Sequence, residues 1–141
     1  MSQSETASDQ LSPNDPARKT VADVLGQIVW LMTQSKHHRG LFLSDLEWAV
    51  MPAILGKQFK LFYHEDQPKA VVFYAMVDEE TKERLDRTGN PKLRLAEWRS
   101  GQIPYVVDAV APFGDREQLM VEFGAELQTN LAAASTGKDA H

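Results

Sequence analysis

The sequence predicts a mixed α/β (α+β) fold, in which helices flank a mainly antiparallel sheet. Three observations predict this class. Apolar residues recur at helical spacing near both ends of the chain, over 21–34 and 115–134. Two strand-like segments, 57–63 and 70–77, are joined by a short turn and predict an antiparallel hairpin. A third apolar segment, 103–111, predicts a further strand.

The N-terminal part of the chain predicts a tail followed by a helix. Residues 1–18 are rich in Ser, Asp, Gln and Pro, which predicts a disordered N-terminal tail. Thr20 is the predicted N-cap of the first helix, and Asp23 stands at the spacing that completes a capping box. The apolar stripe of this helix is expected to end near Gln34.

A second helix is predicted before the hairpin. Ser44 is expected to cap it, because Glu47 stands three residues later in the Ser-x-x-Glu pattern of a capping box. Pro52 is expected to kink or end this helix, since proline lacks the backbone N–H that a helix interior needs.

The remaining elements follow the hairpin. The charged segment from Asp78 to Arg87 predicts a helix with Asp78 as its N-cap, and Leu95–Trp98 predicts a short helical turn. The last helix is expected to run from Asp115 to about Ala134. One domain is therefore predicted over 19–134, with a frayed C-terminal tail at 135–141.

Composition limits the functional classes. A hydrophobic share of 43% over 141 residues is enough for the core of one domain. The net charge of −5 argues against nucleic acid and against simple adhesion to anionic lipid. Cysteine is absent, which excludes disulfides, a thiol nucleophile and Cys-ligated zinc. No secretory signal pattern and no apolar segment of membrane-spanning length is seen in the sequence, so a cytoplasmic protein is expected.

The polar segment 33–40 interrupts the apolar pattern and holds the best candidate for acid–base chemistry. Histidine changes protonation nearest to neutral pH, so His38 is a candidate general base. A surface histidine in a loop is the structural alternative, and the residues alone leave both open. No metal site is predicted, because the adjacent His37 and His38 would face different ways, and His64 and His141 have no ligand spacing.

Asp108 is the second candidate. It stands among valines and alanines in a predicted strand, where an ionised carboxylate is costly unless it is paired or hydrogen-bonded. One interpretation is a structural aspartate bonded to a backbone amide or to an arginine. The other is an acid that orients a histidine and stabilises its protonated form.

Several separated motifs resemble one protein family. The chain resembles the RTX toxin-activating lysine acyltransferases, the haemolysin C-type proteins, over about residues 21 to 116 in unbroken order. The set of motifs is far more specific than any single one. The matching motifs are Leu25-Gly26-x-x-x-Trp30-Leu31, Ser35-x-x-His38-Arg39, Val50-Met51-Pro52-Ala53-Ile54, Gln58-Phe59, Glu97-Trp98-x-Ser100-Gly101 and Val107-Asp108-x-Val110-Ala111-Pro112-Phe113-Gly114.

The resemblance implies a fold similar to that of the GCN5-related N-acetyltransferases. It implies transfer of a fatty acyl group from acyl carrier protein to the ε-amino groups of internal lysines in an RTX protoxin, in the cytoplasm. No bound cofactor is implied, the acyl-acyl carrier protein is the donor substrate, and a homodimer is a candidate assembly. The segment 77–80 has three acids and no glycine, which disfavours a coenzyme A pyrophosphate and favours the carrier protein.

The resemblance also implies roles for individual residues. His38 matches the essential histidine, as general base or acyl acceptor, and Asp108 matches the aspartate that orients it. Ser35 and Arg39 are expected to contact substrate. Ala49 departs from the asparagine that some members carry. The alternative is a non-catalytic domain that binds acyl carrier protein or toxin and has kept the fold without turnover.

Overall fold

The computed structural model describes residues 20–90 and 92–139, and describes side chains up to residue 132. The predicted N-terminal tail and the last two residues lie outside this part of the chain. Two 3-10 turns, Leu43–Asp45 and Leu95–Trp98, connect longer elements. The helices and strands, in chain order, are α1 (Val21–Thr33), α2 (Leu46–Ala49), α3 (Met51–Leu55), β1 (Phe59–His64), β2 (Gln67–Val77), α4 (Glu79–Thr88), β3 (Ile103–Val110) and α5 (Arg116–Asp139).

A three-stranded antiparallel sheet in the order β1-β2-β3 forms the centre of the fold. The predicted hairpin is confirmed: β1 pairs with β2, so that Phe59 lies opposite Phe73. The third strand, β3, pairs with the other edge of β2. The predicted combination of helices with an antiparallel sheet is therefore confirmed at the level of an α+β fold.

Helices cover both faces of the sheet. Alternate side chains of β2 point to opposite faces, as they do in any strand. Phe73 packs into a core with α1 on one face, and Val72 packs with Phe123 of α5 on the other. Burying a side chain such as that of Phe73 stabilises the fold by roughly 1.5–3 kcal/mol. Burial on both faces explains why the sequence of β2 is almost continuously apolar.

A β-bulge interrupts the pairing of β2 with β3. Phe73 lies opposite Asp108 and Tyr74 lies opposite Val106, so Val107 has no partner on β2. The two residues of a bulge lie opposite one residue of the neighbouring strand, which bends the strand and redirects its side chains. Val107 packs into the α1 core, and the next side chain, Asp108, bonds to the loop that follows α1. The bulge thus places the carboxylate on the α1 face.

The cap of the first helix was predicted well. The hydroxyl of Thr20 accepts a hydrogen bond from the Asp23 N–H, and the Asp23 carboxylate accepts one from the Thr20 N–H. The helix ends at Thr33, and Gln34 is its C-cap. The capping box at Thr20 and the end near Gln34 are both confirmed.

The predicted cap at Ser44 is wrong. The segment starts two residues earlier, at Phe42, because the Asp45 carboxylate accepts hydrogen bonds from the Phe42 N–H (2.8 Å) and from Nε1 of Trp48 (3.1 Å). The helix also breaks at Val50, and Pro52 lies in the first turn of α3. The break expected from the proline is therefore confirmed, whereas the capping residue differs.

The last helix is longer than predicted. It starts at Arg116, with Asp115 accepting a hydrogen bond from the Gln118 N–H (3.0 Å). It continues to Asp139, beyond the predicted end near Ala134.

Candidate active site

The loop after α1 sorts its polar residues into buried and exposed groups. The N–H groups of His38 and Arg39 both donate to the Ser35 carbonyl oxygen, at 3.1 and 2.9 Å, which closes the loop into tight turns. These turns bury Ser35 and His38 beneath the loop, while Lys36, His37 and Arg39 stay exposed. The loop consists of polar residues, and its turns direct one serine and one histidine to the interior.

His38 is held at both nitrogens of its ring. Its Nε2 lies 2.7 Å from Oδ2 of Asp108, and its Nδ1 lies 2.6 Å from Oγ of Ser35. An ionised carboxylate can only accept, so Nε2 carries the hydrogen in the neutral ring. Nδ1 is then the acceptor, and the Ser35 hydroxyl donates to it. The ring can therefore take up a proton at Nδ1 while the negative charge of Asp108 stabilises the resulting cation.

Three groups donate hydrogen bonds to Asp108. Besides His38, the Ala109 N–H donates to Oδ1 at 2.8 Å and Nη2 of Arg116 donates to the same oxygen at 2.5 Å. Burial alone would raise the pKa of this carboxyl, but hydrogen bonds from His38 and Arg116 and the electrostatic attraction of these donors outweigh burial and lower the pKa below its usual value. Asp108 is therefore ionised at neutral pH.

Arg116 is the residue that the sequence interpretation missed. Its Nε donates to the Ala109 carbonyl oxygen at 3.0 Å, so one guanidinium fixes both the strand and the carboxylate on it. The signal that pointed to it was the charge of Asp108, because an arginine was one of the two partners expected for a structural aspartate. Nothing in the sequence distinguished Arg116 from the other arginines.

The predicted site residues separate into two groups. The structure brings His38 and Asp108 together, with Ser35 as the third member. Arg39 lies on the surface and does not line either of the cavities beside this group. His37 is also exposed, although its ring makes an edge contact with His38 at a centroid distance of 6.3 Å.

Two cavities flank the group. The wide cavity, of about 570 Å³, is lined by Ser35, by polar residues of the loop and of the start of α5, and by residues of the turn 111–114 between β3 and α5. The narrow cavity, of about 170 Å³, is lined by His38 and Asp108 together with apolar side chains. His37 and Arg116 line both cavities. A substrate that extends from Ser35 in the wide cavity to His38 in the narrow cavity would therefore pass between His37 and Arg116.

In the part of the chain that the structure describes, no group of three or more His, Cys, Asp or Glu side chains is arranged to hold a metal ion. Within the same residues, no helix has the length and apolar character needed to cross a membrane.

Comparison with known proteins gives a consistent result. The chain matches the RTX toxin acyltransferase family over residues 17–139. The RTX-II toxin-activating lysine-acyltransferase ApxIIC of Actinobacillus pleuropneumoniae is 31% identical over 124 residues, which make up 82% of this chain and 77% of that protein. The protein-lysine myristoyltransferase RtxC of Kingella kingae is 37% identical over 93 residues, which make up 64% of this chain and 54% of that protein.

A third relative, the protein-lysine myristoyltransferase HlyC of Escherichia coli, is 33% identical over 99 residues, which make up 69% of this chain and 56% of that protein. The chain thus spans about half the length of the two myristoyltransferases. The family match includes the loop with Ser35 and His38 and the strand with Asp108. The resemblance seen in the sequence motifs is confirmed, and the chain belongs to the RTX toxin acyltransferase family.

Proposed function

We propose that this protein is a protein-lysine fatty acyltransferase, which moves an acyl chain from acyl carrier protein to internal lysine side chains of an RTX protoxin. The observation that carries the proposal is the chain of hydrogen bonds from Ser35 through His38 to Asp108 and Arg116. Such an arrangement accepts a proton at one end and stabilises the charge at the other. The three-stranded antiparallel sheet with helices on both faces supports the related proposal of a fold like that of the GCN5-related N-acetyltransferases.

The reaction needs a base because a lysine attacks only as the neutral amine. With a reference pKa near 10.4, deprotonating a lysine at pH 7 costs about 4.6 kcal/mol. A positioned base is worth about 10² to 10⁴ in rate. His38 supplies that base, and its side chain is only 5% exposed, so the proton that it takes up is shielded from water.

The proton path runs through Ser35. One proton of the lysine ammonium passes to Oγ of Ser35, whose own proton moves to Nδ1 of His38 over the 2.6 Å hydrogen bond. The neutral amine nitrogen then attacks the thioester carbonyl, forms the new C–N bond and releases its surplus proton to water. The C–S bond then breaks, and His38 returns the proton to the leaving thiolate. Because both ring nitrogens are engaged, the geometry favours a base over an acyl acceptor at His38.

The start of α4 supports a carrier-protein donor over free coenzyme A. In many nucleotide sites a phosphate occupies the N-terminus of a helix. Here the carboxylate of Asp78 occupies that position and accepts from the Thr81 N–H at 2.8 Å. The hydrogen bonds from Thr81 lower the pKa of Asp78, so this carboxylate would repel a pyrophosphate at neutral pH. The proposal includes a cytoplasmic location and a homodimer as the candidate assembly.

The test is a transfer assay with matched histidine variants. The protein is incubated with an acyl-acyl carrier protein and with an RTX protoxin as acceptor, and acylated lysines are identified by mass spectrometry. We expect the wild type and His37→Ala to transfer, and His38→Ala to lose at least about 10²-fold. Equal loss in both variants would remove His38 from its role. Failure of the wild type with donors of every chain length would refute the function itself.

A further inference from the structure

The narrow cavity has walls of a different character from the rest of the site. Besides the polar groups of the site, four apolar residues from three parts of the chain line it: Leu41 of the loop, Trp48 and Ala49 of α2, and Val107 of the bulge in β3. We propose that this cavity binds the acyl chain of the donor, and that Trp48 and Ala49 set the chain length it accepts. The inference rests on the proposed function and adds a site for the transferred group.

The two cavities differ in what they can hold. The wide cavity contains Ser35, the start of the proton path, so the attacking amine and the thioester carbonyl must meet there. Its other lining groups include Gln34, Lys36, Asp115 and Glu117, which offer hydrogen bonds and charges to polar ligands. An alkyl chain gains little beside such groups. Against the apolar side chains of the narrow cavity, each methylene that leaves water strengthens binding by about four-fold.

The volume of the narrow cavity gives a length. An apolar protein cavity of about 150 Å³ holds one benzene ring, so about 170 Å³ takes about six or seven carbons. Pockets for larger ligands start at about 300 Å³. The carbons nearest to the thioester therefore fill the narrow cavity. A longer chain needs a way out at its far end.

Trp48 lines both the narrow cavity and a third cavity of about 560 Å³. The third cavity has charged residues and an apolar part formed by Pro52, Leu93 and Leu95, which an extended chain would follow. The indole is fixed on both sides: Nε1 donates to Asp45, and Nζ of Lys92 lies 5.2 Å from the ring centre. Removing the indole would join the narrow cavity to the third one and extend the path for a chain.

Substitution at Ala49 should change the accepted chain length in the opposite direction, towards shorter chains. Its side chain is a single methyl group at the cavity wall. Replacing it with leucine adds three carbons to a space that holds about six or seven, so the remaining room suits a much shorter chain. Substitutions at two adjacent positions are therefore expected to shift the chain-length preference in opposite directions.

Transfer rates with acyl carrier protein loaded with acyl chains of two, eight and sixteen carbons test the inference, with the RTX protein as acceptor. We expect Trp48→Ala to raise the ratio of sixteen-carbon to eight-carbon transfer at least ten-fold. Ala49→Leu should lower the ratio of eight-carbon to two-carbon transfer at least ten-fold. The matched controls lie outside the narrow cavity. Trp30→Ala removes a tryptophan of α1 whose surface is 43% exposed, and Ala125→Leu enlarges a side chain on the exposed face of α5. Both controls should keep the wild-type ratios.

A measurement on the wild type does not depend on the folding of any variant. S-acyl pantetheine with a photoreactive group near the sixth carbon is irradiated with the protein, and the labelled peptides are mapped by mass spectrometry. Labels within 41–49 or at Val107 support the inference. Labels only at residues that line the wide cavity alone, within 34–36 and 111–115 or at Glu117, place the chain there and overturn it. Unchanged ratios in both variants overturn it too, while transfer itself would still support the proposed function.

Discussion

Replacing Asp108 with asparagine keeps the shape of the side chain and removes its charge. In the wild type, the carboxylate accepts from Nε2 of His38 and so leaves Nδ1 free to accept a proton. The amide of asparagine must use its oxygen for Arg116 and the Ala109 N–H, which turns its NH₂ group towards Nε2. His38 then adopts the other tautomer, with its hydrogen on Nδ1, and it can no longer take the proton of Ser35.

The size of the effect follows from this change of tautomer. Loss of the orienting carboxylate in a serine–histidine–aspartate group lowers turnover by about 10⁴ in a well-studied enzyme of another fold. For Asp108→Asn we expect a loss of about 10³ to 10⁴ in acyl transfer, equivalent to about 4–5.5 kcal/mol of transition-state stabilisation. Initial rates of acyl-lysine formation, followed by mass spectrometry, measure it. A folded Asp108→Asn protein with undiminished transfer would refute the orienting role.

The same variant has a signature in stability. Because the folded-state pKa of Asp108 is lowered, the charged carboxylate stabilises the fold above the unfolded pKa of about 3.9, and this contribution is lost as pH falls through the lower folded pKa. The asparagine variant lacks this stabilising contribution at every pH. At pH 7 we expect Asp108→Asn to lower the free energy of unfolding by about 1–3 kcal/mol, since charged hydrogen bonds are lost and Arg116 keeps partial access to water.

Urea unfolding at pH 7 and near pH 3 tests this signature. The difference between wild type and Asp108→Asn should shrink at the lower pH. The control is Asp86→Asn, which removes an exposed ion pair with Lys82 and should cost less than about 1 kcal/mol. A stability difference for Asp108→Asn that stays constant with pH would contradict the role assigned to its charge.

Three further predictions concern other residues. Arg116→Lys keeps a positive charge but cannot bond to both the Ala109 carbonyl oxygen and Asp108, so the transfer rate should fall about ten-fold. Arg116→Gln also loses the charge and should lower the rate further. Equal rates for the wild type and both variants would show that Arg116 has no role in transfer. Ser35→Ala breaks the proton path and should lower kcat about 10²-fold in steady-state kinetics, whereas wild-type kcat would remove serine from that path. Gly101→Ala would place a Cβ 2.6 Å from the backbone of residues 77–78, so urea unfolding should show a loss of about 1–3 kcal/mol, against little change for Gly40→Ala, where nothing lies within 4 Å.

Much of the fold was predictable because its signals are local. The capping box at Thr20 involves residues three apart, and so does the cap that Asp78 provides for α4. The hairpin also follows from adjacent patterns and a turn, in which Glu65 adopts a left-handed backbone conformation. Each of these features depends on a few neighbouring residues, and each was predicted correctly.

The errors arise where two local patterns compete, or where one of many possible partners is chosen. Ser44 has a suitable capping pattern, but Asp45 forms the cap instead, because its carboxylate accepts from both the Phe42 N–H and the indole of Trp48. The candidate pair His38 and Asp108 was identified by chemistry and resemblance, whereas Arg116 reaches Asp108 from the start of α5. No spacing rule singles out this arginine, because the turn between β3 and α5 brings it to the carboxylate.

The bulge in β3 makes the site depend on the number of residues in the strand. Substitutions at neighbouring positions change only the packing, because the side chains keep their faces. Inserting one residue between Val107 and Asp108 would place the new residue opposite Phe73 and move Asp108 opposite Val72, whose side chain packs with Phe123 of α5. The carboxylate would then turn away from His38 towards α5, although every catalytic residue type would still be encoded. This strand should therefore accept changes of residue far more readily than such an insertion.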